Sequence, residues 1–277
     1  MLVGIDHVVL AVDNPDATAS LLEEKLGLRP AEGGRHERLG TFNRLVWLGD
    51  SYLEVIGVFD RALAETSWIG RPVLDALDRG GGLATWAVAV DDLDAQLRWL
   101  PPDSGFVGPL DGERRRPDER VVRWRLAHPP TLTPTTPFLI EHDPAGAEWT
   151  PDERSARAAE EHANGGRVRL ASIEVVTDAP AVAAGRLRRL LGTSAEPAGR
   201  AAVRIVLGRQ ECRVVLTRPR GTAGIDLLTD VPMRRRSVMV GDCEIRLGGV
   251  PVDGVAKRAV EAAGDGSAAH RDLASDV

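Results

Sequence analysis

Two carboxylates and one imidazole stand inside apolar, strand-like runs of this chain. Glu54 lies between Leu53 and Val55 in YLEVIG, Glu141 between Ile140 and His142 in FLIEH, and His7 within GIDHVVL. A carboxylate buried without a partner is costly, so Glu54 and Glu141 each need a metal, a cation or a proton. The imidazole of His7 can ligate a divalent metal or simply hydrogen-bond within the fold. Without a metal, carboxylates in such surroundings can accept protons at a raised pKa. A plainer alternative stays open, in which one of the two acids pairs with an arginine such as Arg35 or Arg125. Side chains alternate along a strand, so His142 is expected to point away from Glu141, at a rim or on the surface.

Arg35, His36, Thr41 and Asn43 form a second polar cluster. It reads either as a polar hairpin or as a substrate-binding edge, with Arg35 taking an anionic group and Asn43 orienting it. Most tryptophans are core residues, but Trp86, beside Thr85, is a candidate wall for an apolar or aromatic ligand.

The elements that must position these groups recur. Segments beginning at Gly4, Gly82 and Arg169 each open with an apolar run ending in an aspartate, at Asp13, Asp91 and Asp178. Each aspartate is followed at one constant spacing by Gly27, Gly105 or Gly192, and then by Gly34, Gly112 or Gly199. Between aspartate and first glycine the pattern is helical: Asn14 can cap, Pro15 and Pro180 suit the first turn, and Leu21, Leu22 and Leu26 share a face. Gly27 and Gly192 suit the left-handed end of a helix, while Pro101-Pro102 must end the second helix early.

Further strands are predicted at 41–48 and 52–58, at 121–127 and 138–141, and at 203–207 and 212–217. The spacing predicts an α+β fold of repeated βαβββ modules at 1–60 and 80–145, a linker at 146–167 with some helix, a degenerate third module at 168–255, and a frayed tail at 256–277. An odd number of modules leaves one unpaired unless residues 220–250 supply extra strands.

Bulk properties narrow the function. The chain has 277 residues, a net charge of −6 and a pI near 5.6, which argues against a nucleic-acid binder. Two cysteines, Cys212 and Cys243, make no disulfide framework. No leader-like start and no membrane-length apolar run is evident, so a cytoplasmic protein with no membrane partner is expected.

The βαβββ repeat with DHVVLAVDN at its first strand resembles the vicinal-oxygen-chelate superfamily, which includes glyoxalase I, extradiol dioxygenases, methylmalonyl-CoA epimerase and the bleomycin- and fosfomycin-resistance proteins. The run GGRHERLGTFNRLVWLGDSYLEVIGV is similar to its glyoxalase-like branch. The resemblance covers residues 3 to about 145 and, in degenerate form, 168 to about 218. It implies two N-terminal modules paired into a cup-shaped sheet around a pocket, within one chain or across a homodimer.

It also implies a metal held by one residue from each first strand and one from each fourth strand. Carried over, these are His7, Glu54, Thr85 and Glu141, of which Thr85 is a poor ligand. The implied metal is therefore a weakly held Mn²⁺, Mg²⁺ or Fe²⁺, with no organic cofactor evident. Glu54 or Glu141 would shuttle protons in metal-assisted lyase or isomerase chemistry on an oxygenated small molecule. Arg35, His36, Thr41, Asn43, Thr85 and Trp86 would bind the substrate. The alternative is a non-catalytic, antibiotic-sequestering binder of the same fold. Module three places Ser172 and Arg213 at ligand positions, which suits neither a metal nor catalysis.

Overall fold

A computed structural model describes residues 2–116, 118–192, 195–197, 202–208, 210–216 and 222–250. The first module runs β1 (Leu2–Ala11), α1 (Pro15–Leu26), β2 (Arg35–His36), β3 (Thr41–Leu48) and β4 (Ser51–Val58). Two short helices follow, α2 (Arg61–Thr66) and α3 (Gly70–Leu77). The second module runs β5 (Gly82–Val90), α4 (Leu93–Trp99), β6 (Val107–Arg115), β7 (Val121–His128) and β8 (Phe138–His142).

Local chemistry sets these boundaries. Asn14 accepts a hydrogen bond from the Ala17 amide (3.0 Å), and Pro15 starts α1 where its missing N–H costs nothing. Gly27 ends α1 at φ 68°, and Gly192 ends the equivalent helix of the third module at φ 62°, conformations that favour glycine. Helix α4 stops at Trp99, ahead of Pro101-Pro102.

Both modules belong to one eight-stranded sheet, in the order β2-β3-β4-β1-β5-β8-β7-β6. Strands β1 and β5 pair antiparallel at its centre, with His7 opposite Ala87 and Val9 opposite Thr85. Each pairs in parallel with the last strand of its own module, His7 opposite Tyr52 and Ala87 opposite Phe138. The two N-terminal modules therefore pair within the chain, as the cup requires.

The linker carries α5 (Pro151–Ala159). Beyond it come β9 (Val168–Thr177), α6 (Pro180–Leu191), β10 (Ala195–Pro197), β11 (Ala202–Leu207) and β12 (Gln210–Leu216), followed by β13 (Ala223–Pro232), β14 (Arg236–Val240) and β15 (Cys243–Val250). These form a second sheet, β10-β11-β12-β9-β13-β15-β14, with the same central antiparallel pairing as the first. Residues 223–250 thus supply the strands that pair with the third module. They make a fourth unit whose strands follow one another without an intervening helix among the described residues. No described helix is long and apolar enough to cross a membrane.

The two sheets share one apolar core. Ile5, Leu22, Leu26 and Leu93 from the first half pack in the same cluster as Ile173, Leu187, Ile225 and Leu247 from the second. Polar seams flank it. The Ile5 amide donates to Gln210 Oε1 (2.6 Å), and Gln210 Nε2 donates to Ser51 Oγ (2.7 Å) and the Ile5 carbonyl (3.2 Å). Gly241, at φ 56°, lies so close to Gly81 that a Cβ would come within 2.1 Å of its backbone, so a side chain there would force the halves apart.

A chain ended at residue 165 should therefore fail to fold compactly, because Leu22, Leu26 and Leu93 lose the surface that buries them. Dye binding to exposed apolar surface and loss of cooperative unfolding check this. Gln210→Ala, which orphans the Ile5 amide, should cost about 1–3 kcal/mol in denaturant unfolding.

Candidate functional site

The GGRH…GTFN…YLE run builds one wall of a pocket on the inner face of the first sheet. At Gly33 a Cβ would fall 2.0 Å from the Asn43 carbonyl oxygen, so only glycine lets the β2 segment approach β3 there. The Gly34 amide then donates to Asn43 Oδ1 (2.8 Å), which turns the Asn43 Nδ2 donor onto Glu54 Oε1 (2.5 Å). Thr41 Oγ1 similarly holds His36 through Nδ1 (2.9 Å). Burial in this wall lowers the His36 pKa, with the Glu54 carboxylate opposing that shift and Arg114 reinforcing it.

Strand β1 supplies the centre. The β1–β5 pairing is irregular between Ile5 and His7, which brings the neighbouring side chains of Asp6 and His7 together instead of sending them to opposite faces. Asp6, 1% exposed, accepts from His7 Nδ1 (2.6 Å) with one oxygen and from His142 Nε2 (3.0 Å) with the other. Burial alone would raise the Asp6 pKa, but the charges and hydrogen bonds of His142 and His7 outweigh it and hold the carboxyl well below its usual range. The other ring nitrogen of His7, Nε2, lies 3.6 Å from Glu54 Oε2. Burial, with Asp6 and Glu54 nearby, pushes the Tyr52 hydroxyl well above its ordinary pKa and keeps it a neutral donor.

Aromatic rings complete the cavity, whose volume is about 90 Å³. His7 stacks on Tyr52 (4.5 Å between centroids) and His142 on Trp149 (3.6 Å). Trp68 from the α2–α3 connection, Trp124 from β7, Trp47 from β3 and Phe138 from β8 close the sides. The linker takes part: Glu148 receives Arg114 Nη2 on both carboxylate oxygens (2.8 Å each), and Arg157 of α5 lies over the Trp47 ring (4.2 Å) while donating to the Glu148 carbonyl.

The geometry corrects several expectations. His7, Glu54, His36 and Asn43 line the cavity, and Thr41 supports it through His36. Glu141 does not join them. Phe138, Ile140 and His142 of β8 face the cavity, so alternation sends Glu141 to the other side, where it meets Arg125 (3.3 Å). The cavity-facing positions of β8 are Phe138, Ile140 and His142, so matching FLIEHD to YLEVIG by its glutamates puts Glu141 on the wrong face of the strand.

His142, expected at the rim, is instead half of the Asp6 pair, with its side chain only 9% exposed. Arg35 points outward, over the Phe59 ring (3.6 Å) and onto Glu37, too exposed to bind an anion in the pocket. Trp86 belongs to the core shared by the two sheets, and its Nε1 donates to the Pro134 carbonyl (2.8 Å). Thr85 is fully buried outside the lining, with no hydrogen-bond partner for its hydroxyl. In the second sheet Ser172 donates to Asp226 Oδ2 (2.8 Å), while the Arg213 side chain lies outside the described residues.

Sequence reasoning missed Asp6, Tyr52, Arg114, Glu148 and Trp149. Asp6 was accessible to it, as an acid inside the same apolar strand as His7. Tyr52 was too, two residues before Glu54 on the same face of β4. Arg114, Glu148 and Trp149 enter through long-range packing that no local pattern marks.

The donor set meets the implied metal only in part. His7 Nε2 and Glu54 face one another with a carboxylate behind the imidazole, an arrangement that metals use. However, Glu141 is turned out of the cavity, Thr85 does not line it, and among the described residues no three His, Cys, Asp or Glu side chains are grouped to hold an ion. The residues present do not fit the four-ligand set, and no chemistry is routed through it here.

The family model described as glyoxalase-like domain matches residues 5–191. No curated protein matches the chain. A crystal structure of a hypothetical protein from Staphylococcus aureus superposes with a TM-score of 0.74 at 14% identity, over 89% of this chain and 99% of that one. Methylmalonyl-CoA epimerase from Mycobacterium tuberculosis aligns at 22% identity over 52% of this chain and 90% of its own, with a TM-score of 0.37.

Two outcomes follow from the geometry. Calorimetric titration of Mn²⁺ into wild type and His7→Ala should give matching curves, whereas saturable binding lost in the variant would restore the metal site. Stability should also fall on acidification in two stages. His36 is harder to protonate folded than unfolded, so stability declines as pH drops below the unfolded value of 6.5. Asp6, whose folded pKa is depressed, contributes stability above its unfolded value of 3.8 that is lost as pH falls further. Denaturant unfolding at stepped pH checks both: His36→Gln should flatten the first stage, and Asp6→Asn should cost about 2–3 kcal/mol at neutral pH.

Proposed function

The chain belongs to the glyoxalase-like domain family, within the vicinal-oxygen-chelate superfamily, and on that footing we propose that its aromatic pocket carries out proton transfer on a small oxygenated organic molecule. One observation carries the reading: His7 Nε2 and Glu54 Oε2 face each other at 3.6 Å, and each is fixed from behind by a buried partner, Asp6 or Asn43.

The chemistry follows from those partners. With Asp6 accepting the Nδ1 proton, His7 turns Nε2 to the cavity, in the manner of an acid–base imidazole oriented by a carboxylate. Glu54 has one oxygen tied to Asn43 and the other toward His7, so it can take or return a proton across a short gap. Two acid–base groups side by side suit isomerase- or lyase-type steps, in which a proton leaves a carbon next to a carbonyl and is returned elsewhere. The Tyr52 hydroxyl, kept neutral, is a donor for oxygen charge that develops on the substrate. The surrounding rings limit water and strengthen each of these interactions.

The same aromatic lining also favours a second reading, a pocket that holds a small molecule without turnover. Solvent deuterium separates the two. A panel of small carbonyl compounds is screened for binding by tryptophan fluorescence, and each that binds is followed by proton NMR in D₂O. Catalysis predicts exchange of an acidic C–H that drops at least ~100-fold in Glu54→Gln and in His7→Ala, the usual scale of one acid–base group. Binding without exchange in the wild type would establish the sequestering reading.

A further inference from the structure

We infer that the cavity selects small molecules carrying a compact organic cation, such as a methylated ammonium head, seated among the aromatic rings beside Glu54. The inference rests on the reading of this cavity as the small-molecule site and adds the ligand's charge and shape.

The first support is composition. Four of the six tryptophans, Trp47, Trp68, Trp124 and Trp149, line the cavity together with Tyr52 and Phe138. Aromatic faces carry negative charge, and a ring of them around a desolvated cation is favourable, most of all with tryptophan. The chain uses this interaction in the same wall, where the Arg157 guanidinium lies over Trp47 (4.2 Å) and Trp149 (5.1 Å).

The second support is a count of charge at the wall. Glu54 and Glu148 are its carboxylates, Arg114 its guanidinium and His7, His36 and His142 its imidazoles, with the Arg157 guanidinium against Trp47 and Trp149. Arg114 is committed to Glu148 through both carboxylate oxygens, and Arg116 adds a contact to the same acid (3.4 Å). Glu54, 8% exposed, is met by the neutral Asn43 amide and by His7, with no arginine or lysine ion pair among the described residues. Burial lowers the pKa of His36, so that ring adds no charge at neutral pH. Asp6 stands one layer behind. Glu54 thus has no guanidinium or ammonium partner among the described residues, which favours a cation beside it, and the arginine expected to bind an anion, Arg35, is outside.

The cavity measures about 90 Å³, so whatever part of the ligand enters it must be small.

The test compares choline with 3,3-dimethyl-1-butanol, its neutral carbon analogue, and with benzoate, using calorimetry and tryptophan fluorescence on the full chain. Choline should bind at least ~10-fold more tightly than the neutral analogue, as expected for one desolvated cation–π site. Glu54→Gln should remove most of that preference while leaving the weak binding of the analogue unchanged. Equal affinities, preference for benzoate, or no binding of choline would overturn the inference, and the wild-type comparison holds even if the variant does not fold. Deuterium exchange into neutral carbonyl compounds without choline binding would keep the proton-transfer reading and sink this one alone. Choline binding without any exchange would do the reverse.

Discussion

A carboxylate buried between two imidazoles holds the N-terminal half together. Asp6 comes from the first strand of module one and His142 from the last strand of module two, so their bond crosses the boundary between modules. A buried charge is tolerable only when its partners are in place, which makes this contact a constraint on how the modules dock. Fixing Asp6 also fixes His7, because the second carboxylate oxygen takes the His7 Nδ1 proton. The tautomer and aim of the central imidazole are thus settled by the same interaction that sets the docking register.

The aromatic shell depends on that arrangement. His142 forms a flat face for Trp149, and His7 does the same for Tyr52. Trp149 belongs to the segment after β8, which returns Glu148 to Arg114 and leads into α5, whose Arg157 covers Trp47. What the repeat pattern treats as a spacer is therefore part of the pocket wall. On the other side α3 packs Val73 and Ala76 against the inner face of the sheet, filling part of the cup and leaving a small cavity rather than an open cleft.

The second sheet repeats the architecture without repeating this chemistry. Ser172 stands where β1 has His7, and it is satisfied by Asp226, which also receives Arg246 (2.9 Å). Its apolar contribution is nonetheless large, since both sheets and the helices α1, α4 and α6 share one core. The relation between halves is one of mutual burial, with the carboxylate–imidazole cluster confined to the first.

Legible in the chain alone were the repeat, the strand and helix order, the left-handed glycines and the polar GGRH…GTFN…YLE run, open there between a hairpin and a binding edge. These follow from periodicity, capping and turn chemistry, which act over a few residues, and in that run each partner lies within about twenty residues of the next. The family resemblance added the paired cup. Which side of a strand faces the cavity was settled by packing between distant strands. The face that β8 presents sent Glu141 to Arg125 and His142 to Asp6, and a local irregularity in β1 placed Asp6 beside His7 against strict alternation. Register is set by packing between strands distant in the chain, so no local pattern could have fixed it, and with it went the difference between a four-ligand metal site and a carboxylate–imidazole pocket lined by tryptophan.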